Sequence, residues 1–242
     1  LCYAEDDDTQ LKNGSYLKLC KDACKSGELP PEIDIVRLYP AGADGERVVN
    51  ATQVNRLNPL IPEDYFKAQV KLRNQIHTVM QFLKNNVEGF ENIRIKDSSD
   101  IVGVRESRRI VGQYTLTAED LIAGRRFEDV IVHKDDFAID IHNPDGAGQA
   151  ESDTIPVRIG NYDIPYGCIV PLENRNLYTA GRCISGTHRA HASYRVMNIA
   201  MNLGEAAGVA AAVCIRENSD NKVVGYKKVQ TALAERGIDL FE

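Results

Sequence analysis

No apolar run in the 242 residues approaches the roughly 20 needed to cross a bilayer, so a membrane span is not expected. There is no basic patch either. Lys and Arg are dispersed, the net charge is −6 and the pI is about 5.5, which argues against nucleic acid or an anionic membrane as the main partner. The six cysteines, Cys2, Cys20, Cys24, Cys168, Cys183 and Cys214, show no zinc-ligand spacing. A chain of this length needs no disulfide framework, so ordinary reduced thiols are expected. The opening LCYAEDDD carries no signal-peptide pattern. The nearest approach to a dinucleotide fingerprint is Gly146-Ala147-Gly148-Gln149-Ala150. It follows a turn, not a strand, and no helix starts after it, so it is rejected. What remains reads as a soluble globular protein, 43% hydrophobic and 26% charged.

The pattern of elements points to an α/β or α+β fold: an antiparallel or mixed sheet with flanking helices. A short helix is expected near Tyr16 to Lys25, ending at Gly27. Ile33 to Leu38 alternates as a strand, the turn Ala41 to Gly45 follows, and Glu46 to Val49 returns, which makes a hairpin. Pro62 opens a helix from a favourable first position. It runs to about Asn86, with Leu72, Ile76, Val79, Met80 and Leu83 on one face and His77 on its surface. Ile93 to Ile95 is a further strand candidate. Thr117 caps a short helix with Asp120 three residues on. Val130–His133 and Phe137–Ile141 read as strands of one sheet, Tyr162 to Pro171 as an extended segment, and Val229–Arg236 as a last helix.

The chain is organised around Leu177 to Ala212. Leu177-Tyr178-Thr179-Ala180 reads as a short buried strand, Gly181 as the turn that ends it, and Ser193 as the N-cap of a long helix. Val196, Ile199, Ala200, Leu203, Ala207, Ala210, Ala211 and Cys214 recur in it at helical spacing. Gly204 and Gly208 cost about 1 kcal/mol each in a helix interior, so another backbone is expected close by. Arg195 falls in the first turn, where a cation opposes the helix dipole and calls for an anion or an acidic partner. Strand, glycine turn and positive helix end together make a place to hold negative charge. Upstream, Arg105-Glu106-Ser107-Arg108-Arg109 puts three arginines in five positions. Two readings stand: a solvated charged turn, or a clamp for carboxylate or phosphate.

AGRCISGTHRAHASYRVM and its Ala/Gly helix resemble the C-terminal flavin motif of FAD-dependent oxidoreductases, relatives of the fumarate reductase and disulfide reductase flavoproteins. Further motifs of the resemblance are Arg105 to Ile110, Gly112 to Asp120, Ile139 to His142 and Ile164 to Tyr166. The resemblance implies FAD as cofactor and hydride transfer between a small-molecule substrate and the flavin. It implies that Gly181, Arg182, Cys183, Ser193, Arg195, Val196 and Met197 lie along the cofactor, the glycine turn beside the ribityl chain and the helix start at the pyrimidine edge. It implies a substrate or cap domain over 1–170 and a remnant of the FAD-binding, Rossmann-like domain over 171–242. Candidate catalytic groups are His188, His191, Arg105, Arg108, His142 and Tyr166, each histidine being either a proton carrier or a structural hydrogen-bonding group.

Two departures matter. Such enzymes begin with a strand, a Gly-x-Gly-x-x-Gly turn and a helix that cradle the pyrophosphate, and this sequence has none. The resemblance therefore implies the C-terminal portion of such an enzyme, completed by a missing N-terminal half or another subunit. Arg182 stands where the disulfide-reductase relatives have an acid, and it can donate but not accept a hydrogen bond. The rival readings are a non-enzymatic assembly module and thiol redox chemistry through Cys168 and Cys183.

Overall fold

The structure is a computed structural model that describes residues 14–43, 45–148 and 159–241. Cys2, Asp44 of the hairpin turn, and Gln149 and Ala150 of the rejected glycine stretch lie outside the described residues. The chain forms two compact units: 1–105 with 142–150, and 106–141 with 151–242. Residues 106–141 thus pack with the C-terminal segment, whereas the sequence reading grouped all of 1–170 together.

In the first unit, α1 (Gly14–Ser26) buries Tyr16, Cys20 and Ala23 at helical spacing, and the Tyr16 hydroxyl donates to the Val36 carbonyl at 2.8 Å. The expected hairpin is present, with β1 (Arg37–Pro40) antiparallel to β2 (Arg47–Asn50) and Arg37 opposite Asn50. It starts later than the alternation predicts. Ile33 is held in a turn after the two prolines by its N–H to the Pro30 carbonyl at 2.8 Å. The next helix, α2 (Pro62–Asn86), opens at Pro62 as expected and closes on Val87. It buries Val79, Phe82 and Leu83 against α1, while Leu72, Ile76 and Met80 are only half-buried. Gln75 is also buried, because its amide exchanges two 3.0 Å hydrogen bonds with the backbone of Gln53. Ile93–Ile95 is not a strand.

In the second unit, Thr117 caps α3 (Ala118–Ile122) in a complete capping box with Asp120. β3 (Val130–Asp135) pairs antiparallel with β4 (Tyr162–Pro165) in an irregular register. The expected strand Phe137–Ile141 does not form: the ladder ends at Asp135, opposite Tyr162 and next to Lys134, which is left-handed (φ 55). Buried Asp163 ties the pair together, accepting from Arg126 at 2.6 Å, the Lys134 N–H at 3.2 Å and the Phe127 N–H at 3.3 Å, and lying 2.9 Å from His133 Nδ1.

The long helix expected from Ser193 starts later, at Met197, and the residues before it form a short helix of their own. α4 (His188–Tyr194) is capped by Thr187, and α5 (Met197–Arg216) starts after an extended Val196. Ile199, Leu203, Ala206, Ala210 and Val213 of α5 face β3 and α6 (Tyr226–Ala234). Each large side chain removed from water there contributes about 1.5–3 kcal/mol. With 20 residues and a mean hydropathy of 1.4, α5 is by length and composition alone long and apolar enough to cross a membrane. Its packed face is that of a core helix.

Candidate functional site

The site is assembled from backbone that belongs to no regular sheet. Leu177–Ala180 is not the expected buried strand: Leu177 is 45% exposed and the segment pairs with no strand. Thr179 N–H donates to Ile169 at 3.0 Å, Ser185 to Cys168 at 2.9 Å, Ile110 to Cys183 at 3.0 Å, and Thr187 to Leu116 at 2.8 Å. These bonds hold the 179–187 loop between two extended segments and bring residues 106–110 beside α4.

Gly181 opens a short turn, Gly181–Cys183, with φ +67. That backbone conformation is costly for any residue with a Cβ. The turn packs on the start of α5, where a Cβ at Gly181 would meet the Ala200 Cβ at 3.6 Å. Arg182 and Cys183 are exposed, and the Cys183 thiol donates to the Ala180 carbonyl at 3.3 Å. At the start of α5, Val196 is half-buried, Met197 is exposed, and no side chain caps the helix. The N–H groups of its first turn therefore keep their partial positive charge available. An uncapped helix start beside a left-handed glycine turn fits the pyrimidine side of a flavin. No residues here fit its pyrophosphate, since the sequence lacks the glycine-rich turn that would hold it.

Ser193 is not a helix cap. It lies inside α4, fully buried, with its hydroxyl 2.7 Å from the Tyr162 hydroxyl and donating to the Phe137 carbonyl. Arg195 closes α4 at its C-terminal end, where the helix dipole favours a cation. Its guanidinium reaches Asp140 at 2.7 Å through the carboxylate and 3.1 Å through the carbonyl. The position is thus locally favourable, and the counter-charge is an acid of the protein. Gly204 and Gly208 also differ from expectation: a Cβ at either meets nothing within 4 Å. They lie on an open, apolar side of α5 with Met197, Met201 and Ile215, which are 56%, 73% and 80% exposed.

Glu106 joins the two histidines, and the sequence reading passed over it. Its carboxylate binds the Arg109 guanidinium and lies 2.7 Å from His188 Nδ1 and 4.0 Å from His191 Nδ1. His188 is mostly exposed. His191 is 2% exposed, stacks edge-on against Tyr194, and has an Nε2 that is buried without a hydrogen-bond partner among the described residues. Burial pushes its imidazole down to about 4, aided by Arg109, Arg195 and His188 and opposed by Glu106. His191 is therefore neutral at physiological pH. Burial raises the Glu106 carboxyl, but the hydrogen bonds from His188 and Arg109 outweigh it and hold it below the usual range.

Arg108 is exposed. Arg105 and His142 belong to the first unit, where His142 Nδ1 is 3.1 Å from the Gln53 side chain. Tyr166 bonds the Tyr178 hydroxyl at 2.5 Å and donates to the Asn221 carbonyl at 3.4 Å. It lines a cavity of about 320 Å3 with Gln113, Asp129 and Lys222, and neither histidine contributes to that wall. Every described cysteine is a free thiol, and burial pushes Cys168 far up, which disfavours a thiolate and with it thiol redox chemistry. No group of three or more His, Cys, Asp or Glu that could hold a metal occurs among the described residues.

No curated protein and no solved structure matches the chain. A family model described as FAD dependent oxidoreductase matches residues 7–233, nearly the whole sequence. The chain belongs to the FAD-dependent oxidoreductase family.

Proposed function

We propose that this chain is the C-terminal portion of an enzyme that moves a hydride between a small-molecule substrate and FAD. The observation that carries the reading is the start of α5, an uncapped helix N-terminus packed against the left-handed Gly181 turn. When bound, the flavin supplies the two-electron chemistry. The first-turn N–H groups of α5, at Met197 and its neighbours, stabilise negative charge at the pyrimidine edge. Gly181 lets backbone approach the cofactor, and exposed Arg182 offers donors to hydroxyl or phosphate oxygens. Mostly exposed His188 exchanges a proton with substrate or water. Exposed Arg108 offers a fork to a substrate carboxylate. All these residues belong to the second unit.

The pyrophosphate and adenosine need another stretch, of the same protein or of another subunit. We place its docking on the open side of α5, because the exposed stripe of Met197, Met201 and Ile215 is an apolar surface that a further stretch of protein would cover. The same open side favours a second reading, an assembly module that holds no flavin. Flavin absorbance near about 450 nm in the purified full-length natural protein separates the two. Stoichiometric flavin that is lost in a folded Gly181→Val variant supports the enzyme. Its absence from the natural protein, or full retention in that variant, contradicts it.

A further inference from the structure

We propose that Glu106 is a positioning residue: it fixes the Nδ1–H tautomer of His188 and thereby leaves Nε2 as the atom that exchanges a proton. The inference deepens the functional reading above and rests on it for the identity of the reaction, though not for the tautomer itself.

The geometry has three parts. First, Glu106 and His188 are 82 residues apart and meet because the Ile110 N–H binds the Cys183 carbonyl, which lays the 106–110 segment along the loop before α4. Second, an ionised carboxylate only accepts hydrogen bonds. At 2.7 Å from Nδ1, Glu106 requires the proton of a neutral His188 to sit on Nδ1, so the lone pair is on Nε2. The carboxylate is kept ionised by the Arg109 guanidinium on its other oxygen. Third, the two histidines on α4 are not equivalent. His191 lies one turn on, buried, with Nδ1 at 4.0 Å from the same carboxylate oxygen, beyond a hydrogen bond. His188 is 60% exposed at its side chain and is the one with access to solvent. The charged and titratable groups facing the pair are Glu106, Arg109, Arg195 and each histidine toward the other.

Dissociating Nδ1–H from the carboxylate forfeits a charge-assisted hydrogen bond, which corresponds to about tenfold or more in the tautomer ratio. The test is long-range 1H–15N correlation of the histidine rings in the 15N-labelled full chain, at a pH where His188 is neutral. The expected result is Nδ1–H for His188 in the wild type and a shift toward Nε2–H in Glu106→Ala and also in Glu106→Gln, whose single amide oxygen serves the donor-only Arg109 and whose NH2 then faces Nδ1. His133, which faces Asp163 in the same unit, reports whether each variant is folded. Nε2–H in the wild type, or unchanged Nδ1–H in folded Glu106→Ala, overturns the proposal. Because no flavin is needed, a chain with the expected tautomer whose natural protein binds no flavin would refute the functional reading alone.

Discussion

His191 provides a pH signature that can be worked out in advance. Unfolded, its imidazole takes up a proton near its ordinary value of 6.5; folded, burial delays this to about 4. Between those values the unfolded chain binds more protons, so stability falls as pH falls, and it is fully present above 6.5. For a shift of this size the loss is about 2 kcal/mol between pH 7 and 5 and about 3 kcal/mol by pH 4. Other groups titrate in the same range. Asp135, pushed up to about 7 by burial and by its neighbours Asp136 and Asp163, acts with the opposite sign: the folded state holds its proton longer, and that stabilisation is lost as pH rises. The assay is therefore a difference. Urea unfolding of the wild type and of His191→Gln is followed at several pH values from 7 to 4.5, so that Asp135 and the rest cancel. The stability advantage of the variant should grow by about 2 kcal/mol as pH falls from 7 to 5. A difference that stays constant with pH means that His191 is not buried as a neutral ring, and the contrast drawn with His188 then fails.

Three further substitutions test other parts of the account. Arg195→Gln removes the partner of half-buried Asp140 and should lower stability by roughly 1.5–3 kcal/mol in thermal unfolding, with Arg195→Lys recovering part of it; an unchanged melting temperature refutes the ion pair. Gly186→Ala drives a Cβ to 2.5 Å from the ring of fully buried Tyr194 and should cost about 1–3 kcal/mol by overpacking, whereas a neutral effect shows the contact to be looser. Gly208→Ala meets open space, and in this chain alone it should stabilise α5 by about 0.5–1 kcal/mol; destabilisation reveals a neighbour on that side.

Elements whose signals are local were legible in the sequence. Pro62 at a first helical position and the Thr117–Asp120 box each act within one turn, and both helices begin where these residues place them. The glycine turn at Gly181 was legible for the same reason. The short helix α4 and its break from α5 were not, because the apolar repeat begins only at Val196, the small polar residues before it read as a loop, and Thr187 caps as well as Ser193 could. That error moved Arg195 from the end of one helix to the start of another and reversed the sign of its dipole interaction. Gly204 and Gly208 were read as closely packed because glycine is costly in a helix, but cost alone does not say where the covering backbone is. Glu106 was hidden differently. A lone acid among arginines looks like internal charge balance, and its meeting with His188 depends on backbone pairing 82 residues away.

The central claim is that the start of α5 stabilises the reduced flavin. Asn198→Asp tests it most directly, since the change is nearly isosteric, the residue is exposed in the first turn, and an acid there suits the helix itself. The measurement is the two-electron midpoint potential of the flavin in the full-length natural protein and in the variant. An added negative charge at the helix start should make reduction harder and lower the potential by roughly 10–40 mV. A potential that is unchanged or higher contradicts the placement of the flavin at α5.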